Sequence, residues 1–299
     1  MSLALTHVPD LDDQNDAAVL VMSIETDRVA LRRALEGCRT KPKPRRVHAL
    51  RVATRRLQSA LELAAVVGAK PDLRLRRQLN ELLPTLSPLR DSHVARQTVE
   101  GLAASTPALD SLLELFARRE HRLERQVVAR LSAFDVVEFE RGVSALTSRL
   151  RELFAPDTSR PALAAALRGA LAERHLEVER RRRRANAERP KSLHRLRLTL
   201  KSYRYALDAL AAALPLPREG QQASQVLAQL QDQLGGAHDA HLLAETARLW
   251  AKKRHKLRRL AQTLQQTSDA AQRAGAEAAA QARLAWPLAH EKATPESLR

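Results

Sequence analysis

A histidine followed at spacings of three and four residues by cations occurs twice in this chain. His48, Arg51 and Arg55 lie in VHALRVATRRLQSALE (47–62), and His194, Arg197 and Lys201 lie in LHRLRLTLKSYRYALD (193–208), at an offset of 146 residues. Arginine holds phosphoryl or carboxylate oxygens through a planar fork, and lysine offers a point charge. Histidine adds a group whose charge changes near neutral pH. Neither stripe contains an acidic residue before Glu62 or Asp208. Chemistry on phosphoanhydrides usually wants acidic metal ligands beside the cations. The expected chemistry is therefore the holding of anions rather than the breaking of bonds.

A helix is the element that lines these groups up. At about 100° per residue, Arg51 and Arg55 fall within about 60° of His48, whereas Leu50, Leu57 and Leu61 fall at about 180–220°. The second copy repeats this, with Leu196, Tyr203 and Leu207 opposite the cations. His48 to Arg55 spans about 10 Å of helix. The result is a straight cationic rail in each half, anchored by an apolar face. The plainer alternative is a solvated helix face. Such faces usually interleave signs for i,i+4 pairing, and these do not. Charge reversal at Arg51 and Arg197 is therefore expected to leave helicity and melting nearly unchanged.

Helical periodicity runs through most of the chain. It predicts helices near 16–36, 45–67, 72–83, 89–104, 108–131, 134–154, 161–185, 191–213, 220–234 and 238–283, the last broken. Gly37 with Pro42 and Pro44 should end the first helix, and Pro71 and Pro107 stand near helix starts. Ala155-Pro156-Asp157 and Pro161 read as the central linker, and Pro215 and Pro217 as the end of the second motif helix. The repeat extends further. Leu86-Ser87-Pro88-Leu89-Arg90-Asp91 matches Leu234-Gly235-Gly236-Ala237-His238-Asp239 at an offset of 148, and Arg28 matches Arg174 at 146. The expected fold is all-α: two helical bundles, 16–155 and 160–284, related by internal pseudo-twofold symmetry. An acidic tail (1–15) and a C-terminal tail (285–299) flank them.

Composition narrows the partner. The 299 residues carry a formal charge of +17, with 51 basic against 34 acidic residues. Of the basic residues 9 are Lys and 42 are Arg. Such an excess points to nucleic acid, polyphosphate or an anionic membrane. Aromatic residues make up only 3%, which argues against single-strand nucleic-acid binders that stack bases on aromatic rings. Duplex DNA stays open, since phosphate contacts alone give non-specific affinity. A lone Cys38, an acidic N-terminus and no long apolar run lead to the expectation of a cytoplasmic protein without a membrane partner.

The two motif stretches resemble the signature helices of the CHAD domain (conserved histidine α-helical domain). LSPLRDSHV and LQDQLGGAHDA are similar to that family's "LG…RD" and "LG…D" turns. The likeness covers roughly residues 16–284. It implies an all-helical fold of two four-helix-bundle-like halves, and binding of inorganic polyphosphate in a basic groove or pore, at polyphosphate granules and near their enzymes; the residues themselves lead to the expectation of no catalysis and no cofactor. Carried over residue by residue, it implies that His48, Arg51, Arg55, Arg56, His194, Arg197, Lys201 and Arg204 face the ligand or lie near it. Arg28, Arg45, Arg46, Arg90, Arg174, Arg181, Lys191 and Tyr205 are secondary candidates. The chain departs from the pattern at Ser87-Pro88 (usually Gly after the Leu), at Gln58, and at Ser202 opposite Arg56. Two other function classes remain alternatives: a non-specific nucleic-acid-binding protein and a phosphoanhydride-processing enzyme.

Arg180–Arg184 is either a solvated helix end or added polyanion surface. His238 and His241 stand at the i,i+3 spacing of a metal clip, but no Cys pair or Glu-rich helix completes one, so no metal is expected. Asp91 and Asp239 are expected to cap helices or to orient arginines.

Overall fold

A computed structural model describes residues 16–102, 106–155, 160–210 and 218–284. Every regular element among them is helical: α1 (Asp16–Thr40), α2 (Pro44–Val66), α3 (Leu73–Glu100), α4 (Pro107–Ser132), α5 (Val136–Phe154), α6 (Arg160–Arg183), α7 (Pro190–Leu210), α8 (Arg218–Ala251) and α9 (Arg258–Gln281). A short 3₁₀ turn (His255–Leu257) precedes α9.

Local chemistry sets many of the ends. Asp72, Thr106 and Asp135 accept from the backbone N–H of Leu75, Leu109 and Glu138, capping α3, α4 and α5. Pro44 and Pro107 occupy the first turns of α2 and α4, where a missing N–H is harmless. After α2 the chain turns at Gly68, whose φ of 95° favours glycine.

The boundaries correct the sequence reading in three places. α1 runs through Gly37 to Thr40, and Pro44 opens α2 instead of ending α1. α3 continues through Pro84 and Pro88, where a break was expected. Each proline removes one ladder donor, but Leu75, Leu79, Leu82, Leu86 and Leu89 are all buried along one face, and their burial holds the helix together. α8 likewise runs on through Gly235-Gly236, and the break comes instead at 252–257, before α9. The two expected family turns, 86–91 and 234–239, therefore lie mid-helix. Pro161 falls in the first turn of α6. The rest of the expected linker (156–159), Pro215, Pro217 and the two tails lie outside the described residues.

Among the described residues, the apolar faces of α1 to α9 meet in one continuous core, which includes Leu50 and Leu61 of α2, Leu196, Tyr203 and Leu207 of α7, Phe139 of α5, and Val178 of α6. The motif helices thus anchor on a shared core. A second cluster ties the C-terminal part of α3 and the start of α4 to the end of α8 and the start of α9. Packing partners are exchanged between the halves: α2 packs on α7, α1 reaches across to α7, and α6 reaches across to α2. The result brings the two rails together.

Candidate functional site

Packing α2 against α7, with α3 and α8 alongside, encloses a cavity of about 300 Å³. α2 contributes His48, Arg51 and Arg55. α7 contributes His194, Arg197, Lys201 and Tyr205. α3 adds Ser87, Arg90 and Asp91, and α8 adds His238 and Asp239. The rails are two walls of one chamber rather than two separate faces. Five arginine or lysine side chains share it with two carboxylates, so the lining is net cationic even with neutral histidines.

The crowding bears on the ionisation of the groups. Burial, then Arg55, pushes Arg51 down to about 10, and Arg197 adds to this from across the cavity. Burial, then Arg197, Arg55 and Arg51, pushes Lys201 down to about 8. Arg90 and Arg197 are also lowered, chiefly by burial. The influences are reciprocal: Lys201 of α7 depresses His48 of α2, and Arg55 of α2 depresses His194 of α7, in each case beneath the larger effect of lost solvation. Cations held together away from water are unfavourable unless an anion joins them.

Two arginines at the centre differ in their support. Arg51 donates to Ser87 Oγ at 2.5 Å and to the Leu83 carbonyl at 3.4 Å. Arg197 has Gly235 at the position corresponding to Ser87; a Cβ there would lie 3.9 Å from its Nε. That Nε is buried and has no hydrogen-bond partner among the described residues. It is a donor waiting for an acceptor.

Asp91 and Asp239 sit inside helices, so neither caps one. They line the cavity instead. Burial raises both, while Arg197 and Arg90 oppose the rise at each of them. Of the two roles expected for them, capping is excluded, and their place beside the arginines agrees with the other. The signal that places these two carboxylates was their shared position in the repeat. His238, expected from sequence only as half of an incomplete metal clip, joins the cavity: its Nδ1 lies 3.3 Å from Nδ1 of His194, and burial, then Arg197, push it down to about 3. His241 lies instead against Gln272, at 3.4 Å. Among the described residues no group of three or more His, Cys, Asp or Glu is arranged to hold a metal ion.

Of the sixteen candidates from sequence, eight line the cavity: His48, Arg51, Arg55, Arg90, His194, Arg197, Lys201 and Tyr205. Arg56 is exposed, lies 3.9 Å from Asp208, and borders a neighbouring hollow with Asp27. Arg204 and Arg45 lie outside the cavity lining. Arg46 bonds the Gly37 and Lys41 carbonyls. Arg28 pairs with Glu25 and Glu140, and Arg174 pairs with Glu62 at 3.1 Å. Arg181 and Lys191 line a different basic hollow. A carboxylate partner marks Arg28 and Arg174 as brackets between helices.

No helix among the described residues is long and apolar enough to cross a membrane. A family model described as "CHAD domain" matches residues 23–248. No curated protein matches the chain in sequence. Among solved structures, the crystal structure of the CHAD domain from the plant Ricinus communis is similar over 95% of this chain and 96% of that one, with a TM-score of 0.69 and 21% identity. At that identity the likeness speaks for the fold.

Proposed function

The chain belongs to the CHAD domain family, and from that premise we propose that it binds inorganic polyphosphate in the cavity between α2 and α7, without catalysing its breakdown. The observation that carries this reading is the convergence of both rails on one half-buried, net-cationic chamber. Polyphosphate is a flexible linear polyanion without bases. Its binder needs closely spaced cations and no stacking platform. The chamber supplies five such cations, and Tyr205 is its only Phe, Tyr or Trp residue among the described ones. The free Nε of Arg197 gives a phosphoryl oxygen a ready donor.

Under this reading His48 stands at the exposed rim and His194 pairs with His238 inside. Arg51 is preset by Ser87. Asp91 and Asp239 offset part of the mutual repulsion of the cations in the empty site. Localisation at polyphosphate granules, with their enzymes as neighbours, follows from such binding and belongs to the same proposal.

The test is competition. Long-chain polyphosphate should displace mass-matched duplex DNA at both low and high salt, while DNA should fail to displace polyphosphate. The reverse order would favour a non-specific nucleic-acid binder. Orthophosphate release from polyphosphate in the presence of Mg²⁺ would favour the enzyme reading, with Asp91 and Asp239 as its acidic pair. None is expected.

A further inference from the structure

The face of α7 that lines the central cavity continues back toward its N-terminus. One turn before His194 and Leu198 come Lys191 and Arg195, and a second hollow of about 580 Å³ opens there. Arg181 and Arg184 at the end of α6, with Arg189 in the turn, complete its basic wall. Among the described residues no carboxylate lines it. Arg181 is engaged by Glu177 at 2.6 Å. Arg184, Arg189, Lys191 and Arg195 form no ion pair among the described residues, although stacked cations without partners repel each other.

Between the two basic chambers lies a smaller, largely apolar one of about 220 Å³, which shares lining residues with both and has one carboxylate, Glu245, in its wall. Lys191 and His241 border it on the basin side. His194 and His238 border it on the cavity side. The other flank of the cavity is different. Tyr205 separates it there from a hollow lined by Asp27, Asp208 and one cation, Arg56, so that flank offers a leaving anion less positive charge than the basin does.

We infer that a long polyphosphate chain held in the central cavity extends past the His194–His238 pair and lies in the Arg184–Arg189–Arg195 basin. This rests on the polyphosphate reading above and adds a second site and a chain-length preference to it. Lys191 and Lys201 are separated by about 15 Å of helix, so tripolyphosphate fills the cavity alone while a long chain engages both chambers. The second contact is then intramolecular and raises affinity without any new contact in the cavity.

The test measures binding of tripolyphosphate and of long-chain polyphosphate to the full chain, at one ionic strength. The variant Arg184→Ala/Arg189→Ala/Arg195→Ala is compared with Arg77→Ala/Arg141→Ala/Arg149→Ala, which removes the same charge from other faces. The expected result is a loss of roughly tenfold or more in long-chain affinity for the basin variant, with tripolyphosphate affinity unchanged and the control variant close to wild type. Equal losses for both ligands, no loss for either, or an equal long-chain loss in the control would overturn the inference while leaving the cavity assignment standing. Failure of wild type to bind either ligand would instead overturn the polyphosphate reading, and the basin with it.

Discussion

Ser87 Oγ accepts a 2.5 Å hydrogen bond from Arg51, and so fixes one central arginine before any ligand arrives. Its counterpart in the repeat, Gly235, leaves Arg197 Nε without a partner. The two halves share one cavity but prepare it differently: one arginine is preset and the other free. Installing the missing hydroxyl tests this. Gly235→Ser should fold normally, since its Cβ meets nothing nearer than 3.9 Å. It should weaken polyphosphate binding by about 0.5–1.5 kcal/mol, the worth of one hydrogen bond. Titration of wild type and variant checks it; tighter binding would contradict it.

The histidines should make binding pH-dependent. Burial and neighbouring cations lower His48, His194 and His238 in the free protein, so all three are neutral at pH 7. Bound phosphates would raise them. A group with a higher pKa in the complex takes up a proton on binding, so affinity rises as pH falls through the bound-state value. Affinity should increase between about pH 8 and 6. His48→Gln/His194→Gln should flatten that slope. An unchanged slope would give the two histidines a packing role only.

Lys201 sets the alkaline limit. Burial and three arginines hold it near 8 when the site is empty, and bound phosphate restores it toward its ordinary value of about 10.4. Affinity should therefore fall as pH rises above about 8. Lys201→Arg, whose charge persists, should bind nearly as well at pH 9 as at pH 7.5. Isothermal titration of both proteins at the two pH values decides the point, and parallel declines would count against it.

Asp27 gives a stability prediction independent of ligand. It is buried beside Arg56 and Asp208, and burial raises its carboxyl to about 6 despite the opposing arginine. Because the folded value lies above the unfolded 3.8, the penalty is full above pH 6 and is relieved as pH falls toward 4. Asp27→Asn should stabilise the protein by about 1–3 kcal/mol at pH 7.5, with the gain vanishing near pH 4. Thermal melts at both pH values measure this, and a loss of stability at pH 7.5 would refute it.

The helical class and both rails were legible in the sequence because 3.6-residue periodicity and a repeated His-Arg pattern are local properties. Continuity through Pro84 and Pro88 was not, because the burial that outweighs two lost donors is tertiary. The facing of the rails was hidden for the same reason: periodicity places Arg51 opposite Leu50 on one helix but says nothing of Arg197 on another. Arg28 and Arg174 looked like further ligand contacts because they repeat in register. Their partners Glu140 and Glu62 lie 112 residues away in the chain, beyond any local pattern. The same facing alters the expectation for Arg51. Its bond to Ser87 and its neighbour Asp91 make a glutamate there costly to the fold, so charge reversal at Arg51 is a poor probe of binding.

Arg55 and Lys201 are the better probes: both line the cavity, and neither donates to an internal hydrogen-bond partner among the described residues. Neutralising them removes repulsion from the empty chamber and attraction from the filled one. The most direct measurement is therefore the affinity for long-chain polyphosphate and the melting temperature of Arg55→Gln/Lys201→Gln beside wild type. The account predicts a loss of roughly a hundredfold in affinity, at about 1–3 kcal/mol for each charged contact, with an unchanged or higher melting temperature. Wild-type affinity in the folded double variant would show that polyphosphate is held elsewhere.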